Sequence, residues 1–136
     1  MGGAAEATQI LIEVGPGELI DKITILRIKS ERMSDAAKLV NVRHELDVLE
    51  RARNENLKES AELKRLEDEL KSVNEGLWDI EDDIRQCEAD KDFGEKFVGL
   101  ARAVYKTNDK RAAIKKEINL LTGSAIVEEK SYTEFD

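Results

Sequence analysis

Thr107, Asn108, Arg111, Lys115 and Asn119 interrupt an apolar stripe in the last third of the chain, and Tyr105 lies beside them. Phe93, Phe97, Leu100, Val104, Ile114, Ile118 and Leu121 set an alternating four-three spacing there, so the polar residues fall on a helix face that is otherwise apolar. Polar groups on such a face must find partners once it is buried. One answer is internal. Glu18 or Asp21 from an earlier helix, or Glu128 and Glu129 from the C-terminal segment, would pair with Arg111 and Lys115. The other answer is a pocket for a small anionic ligand, with Arg111 as its bidentate clamp. Residues 91–122 carry eight basic and four acidic side chains in a chain of net charge −8. That local excess would attract an anion, and it equally suits docking against an acidic helix. The candidate cluster is therefore Tyr105, Asn108, Arg111, Lys115, Asn119, Asp21 and Glu18, with internal pairing the preferred reading.

Other chemistries are poorly provided for. Residues 60–90 hold eleven carboxylates against four basic residues, and Glu75, Asp79, Asp82 and Asp83 follow at three- and four-residue steps or adjoin them. Helical carboxylates at that spacing hold Mg²⁺ in all-α nucleotide pyrophosphohydrolases, which carry an ExxE pair followed by an ExxD pair. The pairs here are Glu59-xx-Glu62, Asp79-xx-Asp82 and Asp92-xx-Glu95, which give a different order, so the pattern is read as a solvated acidic face. His44 is the only histidine and Cys87 the only cysteine, too few for a Cys/His zinc site. His44, between Arg43 and Glu45, reads as an exposed helical residue rather than a triad base. Cys87 reads as a small apolar group in a seam. No Walker loop or GxGxxG occurs. The turn VGPGEL at residues 14–19 could offer helix N–H groups to an anion, but it is better read as an ordinary strand-to-helix turn. No metal and no cofactor are assigned.

The acidic balance argues against nucleic acid and against an anionic membrane surface as partners. No apolar run approaches the roughly 18 residues a membrane span needs. The opening MGGAAEATQ has no basic region followed by an apolar core, and one cysteine allows no internal disulfide, which together point to the cytoplasm.

The elements that position these residues are helical. The chain of 136 residues is expected to form one domain, with residues 1–8 a flexible tail. Residues 9–14, QILIEV, read as a strand ended by Gly15-Pro16-Gly17. A first helix over 16–33 is apolar around most of its circumference and should be central. Ser34-Asp35 is a capping signal for a second helix over 36–54, with Asn54-Glu55-Asn56 the expected turn. Leu63, Leu66, Leu70, Val73, Leu77, Ile80, Ile84 and Cys87 then form an unbroken three-four seam. A short turn makes the second and third helices an antiparallel hairpin. After a break at 90–92, a fourth helix runs over 93–122 to a Gly123 cap, and residues 124–132 read as a second strand. The fold class is thus all-α: four helices, a long antiparallel hairpin of helices 2 and 3, and a small two-stranded element from the chain ends. Trp78, beside the seam, either covers a neighbouring helix edge or anchors a protein contact.

Three segments, ILIEVGPGELIDKITILRIKSER at 10–32, LWDIEDDIRQCE at 77–88, and FVGLARAVYKTNDKRAAIKKEIN with GSAIVEEKSY over 97–132, resemble a bacterial family of unknown function. The resemblance covers nearly the whole chain and carries over no catalytic residues. Some relatives adjoin glycosyltransferase or tetratricopeptide modules, which implies a link to cell-surface carbohydrate metabolism by association alone. A weaker likeness is to the helical chorismate mutases, through the spacing of Arg27, Lys38, Asp47 and Arg51. The chain departs from that family in the break at Ser34-Asp35 and in lacking an additional early arginine. The leading expectation is a non-enzymatic interaction or assembly module with a protein partner, itself included, as a homodimer. The alternative is a small binding protein or enzyme for an anionic metabolite (nucleotide, sugar nucleotide or phosphate) at the polar stripe.

Overall fold

Pro16 starts the first helix because its fixed φ suits the first helical position and its missing N–H is not needed there. In the computed structural model, which describes residues 8–135, helix α1 spans Pro16–Arg32. The expected tail therefore lies, up to residue 7, outside the described residues. Ile20, Ile23, Leu26 and Ile28 are all buried, and α1 packs against each of the other three helices. Apolar side chains on several sides make it the central element, as its sequence predicts.

Asp35 starts α2 (Ala36–Asn56): its carboxylate accepts the Lys38 N–H at 3.0 Å. The helix continues through Asn54-Glu55-Asn56, so the turn falls at residues 57–60 instead. Ser60 then starts α3 (Ala61–Ala89), with its hydroxyl accepting the Leu63 N–H at 3.0 Å. The break at 90–92 includes Lys91 at φ +57°, and α4 spans Glu95–Thr122. Gly123, at φ +70°, ends α4, and the Ser124 N–H returns to the Asn119 carbonyl at 2.9 Å. A left-handed residue at this position is the ordinary glycine helix stop.

Two expectations fail. The second and third helices do not pack as a hairpin: the α2 backbone comes close to α1 alone, with only the Arg53–Glu67 contact reaching α3, while α3 packs on α4 and α1. The hairpins are α1–α2 and α3–α4, joined through α1. A three-four seam says that a face will be buried but not against which helix. Length and apolar content decide that here. α3 and α4 have 29 and 28 residues against 21 in α2, and Val42 is the only buried apolar side chain of α2. The two-stranded element is also absent, since no strand occurs among the described residues. Residues 9–14 and 124–132 carry strand-forming side chains but never pair, and an isolated ribbon is marginal in water.

The core comprises Ile20 of α1, Leu63, Leu66 and Leu70 of α3, and Ile118 of α4, with Leu57 and Ile114 packed against it. It lies at the end of the α3–α4 pair nearest the turn at 57–60. Further along, Leu77, Ile80 and Ile84 are only half-buried.

Candidate functional site

Asp21 projects from the central helix into the space between α3 and α4 and is 1% exposed. Arg111 of α4 engages it bidentately, Nε to Oδ1 at 2.9 Å and Nη2 to Oδ2 at 2.5 Å. The Asn74 amide of α3 donates to Asp21 Oδ1 at 2.9 Å and to Thr24 Oγ1 at 3.0 Å. Thr24 in turn donates to the Asp21 carbonyl at 2.8 Å. One buried carboxylate thus keys three helices together. A charge-assisted pair of this geometry is strong where water is scarce. The hydrogen bond to Asp21 raises the Arg111 pKa above its usual value against the opposing effect of burial.

One turn further on, the Lys115 ammonium donates to Glu18 at 2.7 Å and to Glu128 at 3.0 Å. Burial works to lower the Lys115 pKa, but these two hydrogen bonds outweigh it and the net shift is upward. Lys115 holds the Glu128 carboxyl below the ordinary carboxylate range, first through the hydrogen bond and then through its charge. A carboxylate with a depressed folded-state pKa contributes stability that is present above its unfolded pKa and lost as pH falls through the folded one. The stability difference between the parent and Glu128→Gln should therefore be measurable at neutral pH and vanish in acid, as followed by thermal unfolding across pH. A difference that persists at the acid end would exclude this pair as its source.

Asn119, the last of the polar residues in the stripe, accepts the Gly17 N–H at 2.8 Å and so satisfies one free donor at the start of α1. The helices approach closely there: a Cβ on Gly17 would lie 2.4 Å from the Lys115 backbone carbonyl oxygen. Gly17→Ala must push α1 and α4 apart, and a loss of about 1–3 kcal/mol in urea unfolding is expected. A neutral or stabilising result would show that the helices separate at no cost.

The predicted partners Glu18, Asp21 and Glu128 all meet the stripe. Glu129 instead faces Lys116 at 3.8 Å. Tyr105 is half-exposed, edge-on to Phe135 with ring centroids 5.2 Å apart. Asn108 accepts a long contact from Arg111 Nη1 at 3.4 Å. Sequence reading missed Asn74, Thr24 and Gly17. The signal for Asn74 was available: a carboxamide directly after the seam residue Val73, one turn beyond Leu70.

It also missed a second buried pair. Arg53 of α2 meets Glu67 of α3 through two contacts of 3.2 Å, and both residues are buried. Arg53 also binds Glu59, and Arg27 of α1 reaches Glu67 at 3.4 Å and Glu50 at 3.2 Å. Burial would lower the Arg53 pKa, but hydrogen bonds to Glu59 and Glu67 and their charges raise it overall. This network takes up Arg27, one of the four residues behind the chorismate mutase likeness. Arg51 pairs with Asp47 on the exposed side of α2, and Lys38 is exposed. The four do not gather around one space.

Among the described residues, no group of three or more His, Cys, Asp and Glu side chains is placed to hold a metal ion. No described helix is long and apolar enough to cross a membrane. His44 is exposed and Cys87 buried, as expected. Two clefts flank the Asn108–Arg111 wall. One, of about 440 Å³, lies between α1, α3 and α4 and is bordered by Trp78. The other, of about 690 Å³, lies between α4 and the C-terminal segment and is bordered by Tyr105, Tyr132 and Phe135.

The chain is an all-α unit of four helices keyed together by buried ion pairs. It belongs to a family described as a family of unknown function (DUF6165), whose model matches residues 10–135. No curated protein and no solved structure matches it.

Proposed function

We propose that the chain is a non-enzymatic interaction module that assembles with a second copy of itself. The observation that carries this reading is the segment before α1, residues 9–14, which is neither helix nor strand. Ile10, Leu11 and Ile12 are 83%, 91% and 75% exposed, and no backbone hydrogen bond joins residues 9–14 to the rest of the described chain. Three consecutive large aliphatic groups of strand-forming type on unpaired backbone form a ready edge for strand pairing. Across a two-fold axis the same segment of a second copy supplies the complementary edge. Glu13 is its only charged side chain, so self-pairing meets little repulsion. Exposed Leu120, Leu121 and Ile126 extend the apolar surface, and the Gly15 backbone lies next to Asn119 and Ile126.

An anion site on the polar stripe has less support, because Asp21 engages Arg111 while Glu18 and Glu128 engage Lys115. A reducing, cytoplasmic setting fits a single buried cysteine. Sedimentation equilibrium at micromolar concentration tests the assembly. The parent should sediment at twice the 15.3 kDa chain mass, and Leu11→Lys with Ile12→Lys should return it to one chain with unchanged far-UV circular dichroism. A parent that sediments as a single chain overturns the reading.

A further inference from the structure

We propose that the cleft between α1, α3 and α4 binds a small, uncharged planar heterocycle, stacked on Trp78, whose edge carries a ring N–H beside a carbonyl. Uracil-, hypoxanthine- and guanine-type bases and their nucleosides have this chemistry.

The first observation is an acceptor that no protein group among the described residues satisfies. Asn74 is 5% exposed, and its amide nitrogen faces Asp21 and Thr24. A carboxylate only accepts, so this contact fixes which end of the carboxamide is nitrogen. The oxygen must then point away from Asp21. No protein group among the described residues donates to it, yet no fully buried side-chain polar atom lacks a partner. The Asn74 oxygen therefore opens to the cleft it lines. An acceptor held at the wall of a cleft is completed by water or by a ligand's donor.

The second observation is a pair of donors on the opposite wall. Arg111 uses Nε and Nη2 on Asp21, leaving Nη1 only the 3.4 Å contact to Asn108. Asn108 uses its oxygen for that contact, so its NH₂ group has no partner among the described residues. Asn74 and Arg111 both bond Asp21 Oδ1, which places the acceptor wall and the donor wall around one atom. A ring N–H would donate to the Asn74 oxygen while the neighbouring carbonyl accepts from the Asn108 NH₂ group, beside Arg111.

The third observation is the stacking surface. Trp78 lies one helical turn beyond Asn74 on α3 and is half-buried, with Ile25 and Ile28 of α1 beneath the cleft. An aromatic face beside a few convergent polar groups, in a volume of this size, is the usual make-up of a small-ligand site.

Charge selects against phosphorylated ligands. Asp21 neutralises Arg111, Glu81 pairs with Arg85 at 3.3 Å, and Asp82 has no cationic partner among the described residues. The cleft is therefore net negative, which favours a nucleoside over its monophosphate. The site does not involve residues 9–14, so it stands whether or not the chain dimerises.

Trp78 is the only tryptophan, so its fluorescence reports on this cleft alone. Excited at the red edge of indole absorption, the full chain should show saturable quenching by uridine, inosine or guanosine. Adenosine, which lacks the N–H beside a carbonyl, should bind at least about fivefold more weakly, as expected for one lost hydrogen bond. The matching monophosphates should also bind more weakly. Asn108→Ala, at a half-buried position, should keep the parent's circular dichroism and melting temperature and weaken the lactam nucleosides by a similar factor. The proposal is overturned by the absence of saturable quenching up to millimolar nucleoside, by equal affinity for adenosine, by tighter binding of monophosphates, or by an Asn108→Ala protein that binds as the parent does.

Discussion

Arg111→Ala is expected to lower the unfolding free energy by about 3–5 kcal/mol, the range for removing one partner of a buried ion pair. The cost lies with the residue left behind. Asp21 is 1% exposed and would keep only the Asn74 amide as a side-chain donor. The Arg111 side chain is itself 30% exposed, so water can enter the vacated space, and the result should fall toward the lower end of that range. The double variant Asp21→Leu/Arg111→Met should recover most of the loss, because apolar groups of similar volume need no partner. Urea unfolding of the three proteins decides the matter. A single-variant loss below about 1 kcal/mol would place Asp21 in contact with water and make the pair peripheral.

Leu70→Ala should cost about 2–5 kcal/mol, since deleting a buried leucine side chain forfeits its transfer energy and leaves a cavity. Leu70 is 0% exposed at the centre of a core that includes Ile20, Leu63, Leu66 and Ile118. Ile84→Ala, on the same seam but half-buried, should cost less than half as much. The comparison tests the division of α3 into a packed half and a half-covered one. Equal losses would mean that something covers residues 77–84 in solution, and a Leu70 loss below about 0.5 kcal/mol would put the seam on the surface.

Local signals in the sequence proved reliable. Pro16, Asp35 and Gly123 mark helix ends because capping depends on a residue's own side chain and φ preference. The pairing of Arg111 with a carboxylate of the first helix was readable for a related reason. A guanidinium at a heptad position enters the interior, and Asp21 and Glu18 lie on the helix whose apolar surface must also be there. In part, the cluster is a consequence of periodicity.

Tertiary structure decided what periodicity leaves open. Leu63 through Cys87 announce a buried face, but the same spacing suits any partner helix, so the choice of α4 over α2 rested on length and apolar area across the whole chain. Residues 9–14 have strand-forming side chains, yet a strand exists only when another edge meets it, and none does among the described residues. Arg53 and Glu67 read as solvated charges in the sequence, and only their meeting between α2 and α3 shows that both are buried. Asn74 carries no sign in the sequence of how its amide is turned. Its nitrogen is drawn to a carboxylate 53 residues away, and that distant contact alone leaves its oxygen facing the Trp78 cleft. The sequence by itself determined the helix ends at Pro16, Asp35 and Gly123 and which helix faces are apolar, since these depend on neighbours within a turn or two. Partner choice, strand pairing and the orientation of buried polar groups depend on contacts between residues far apart in the chain, and only the assembled structure decided them.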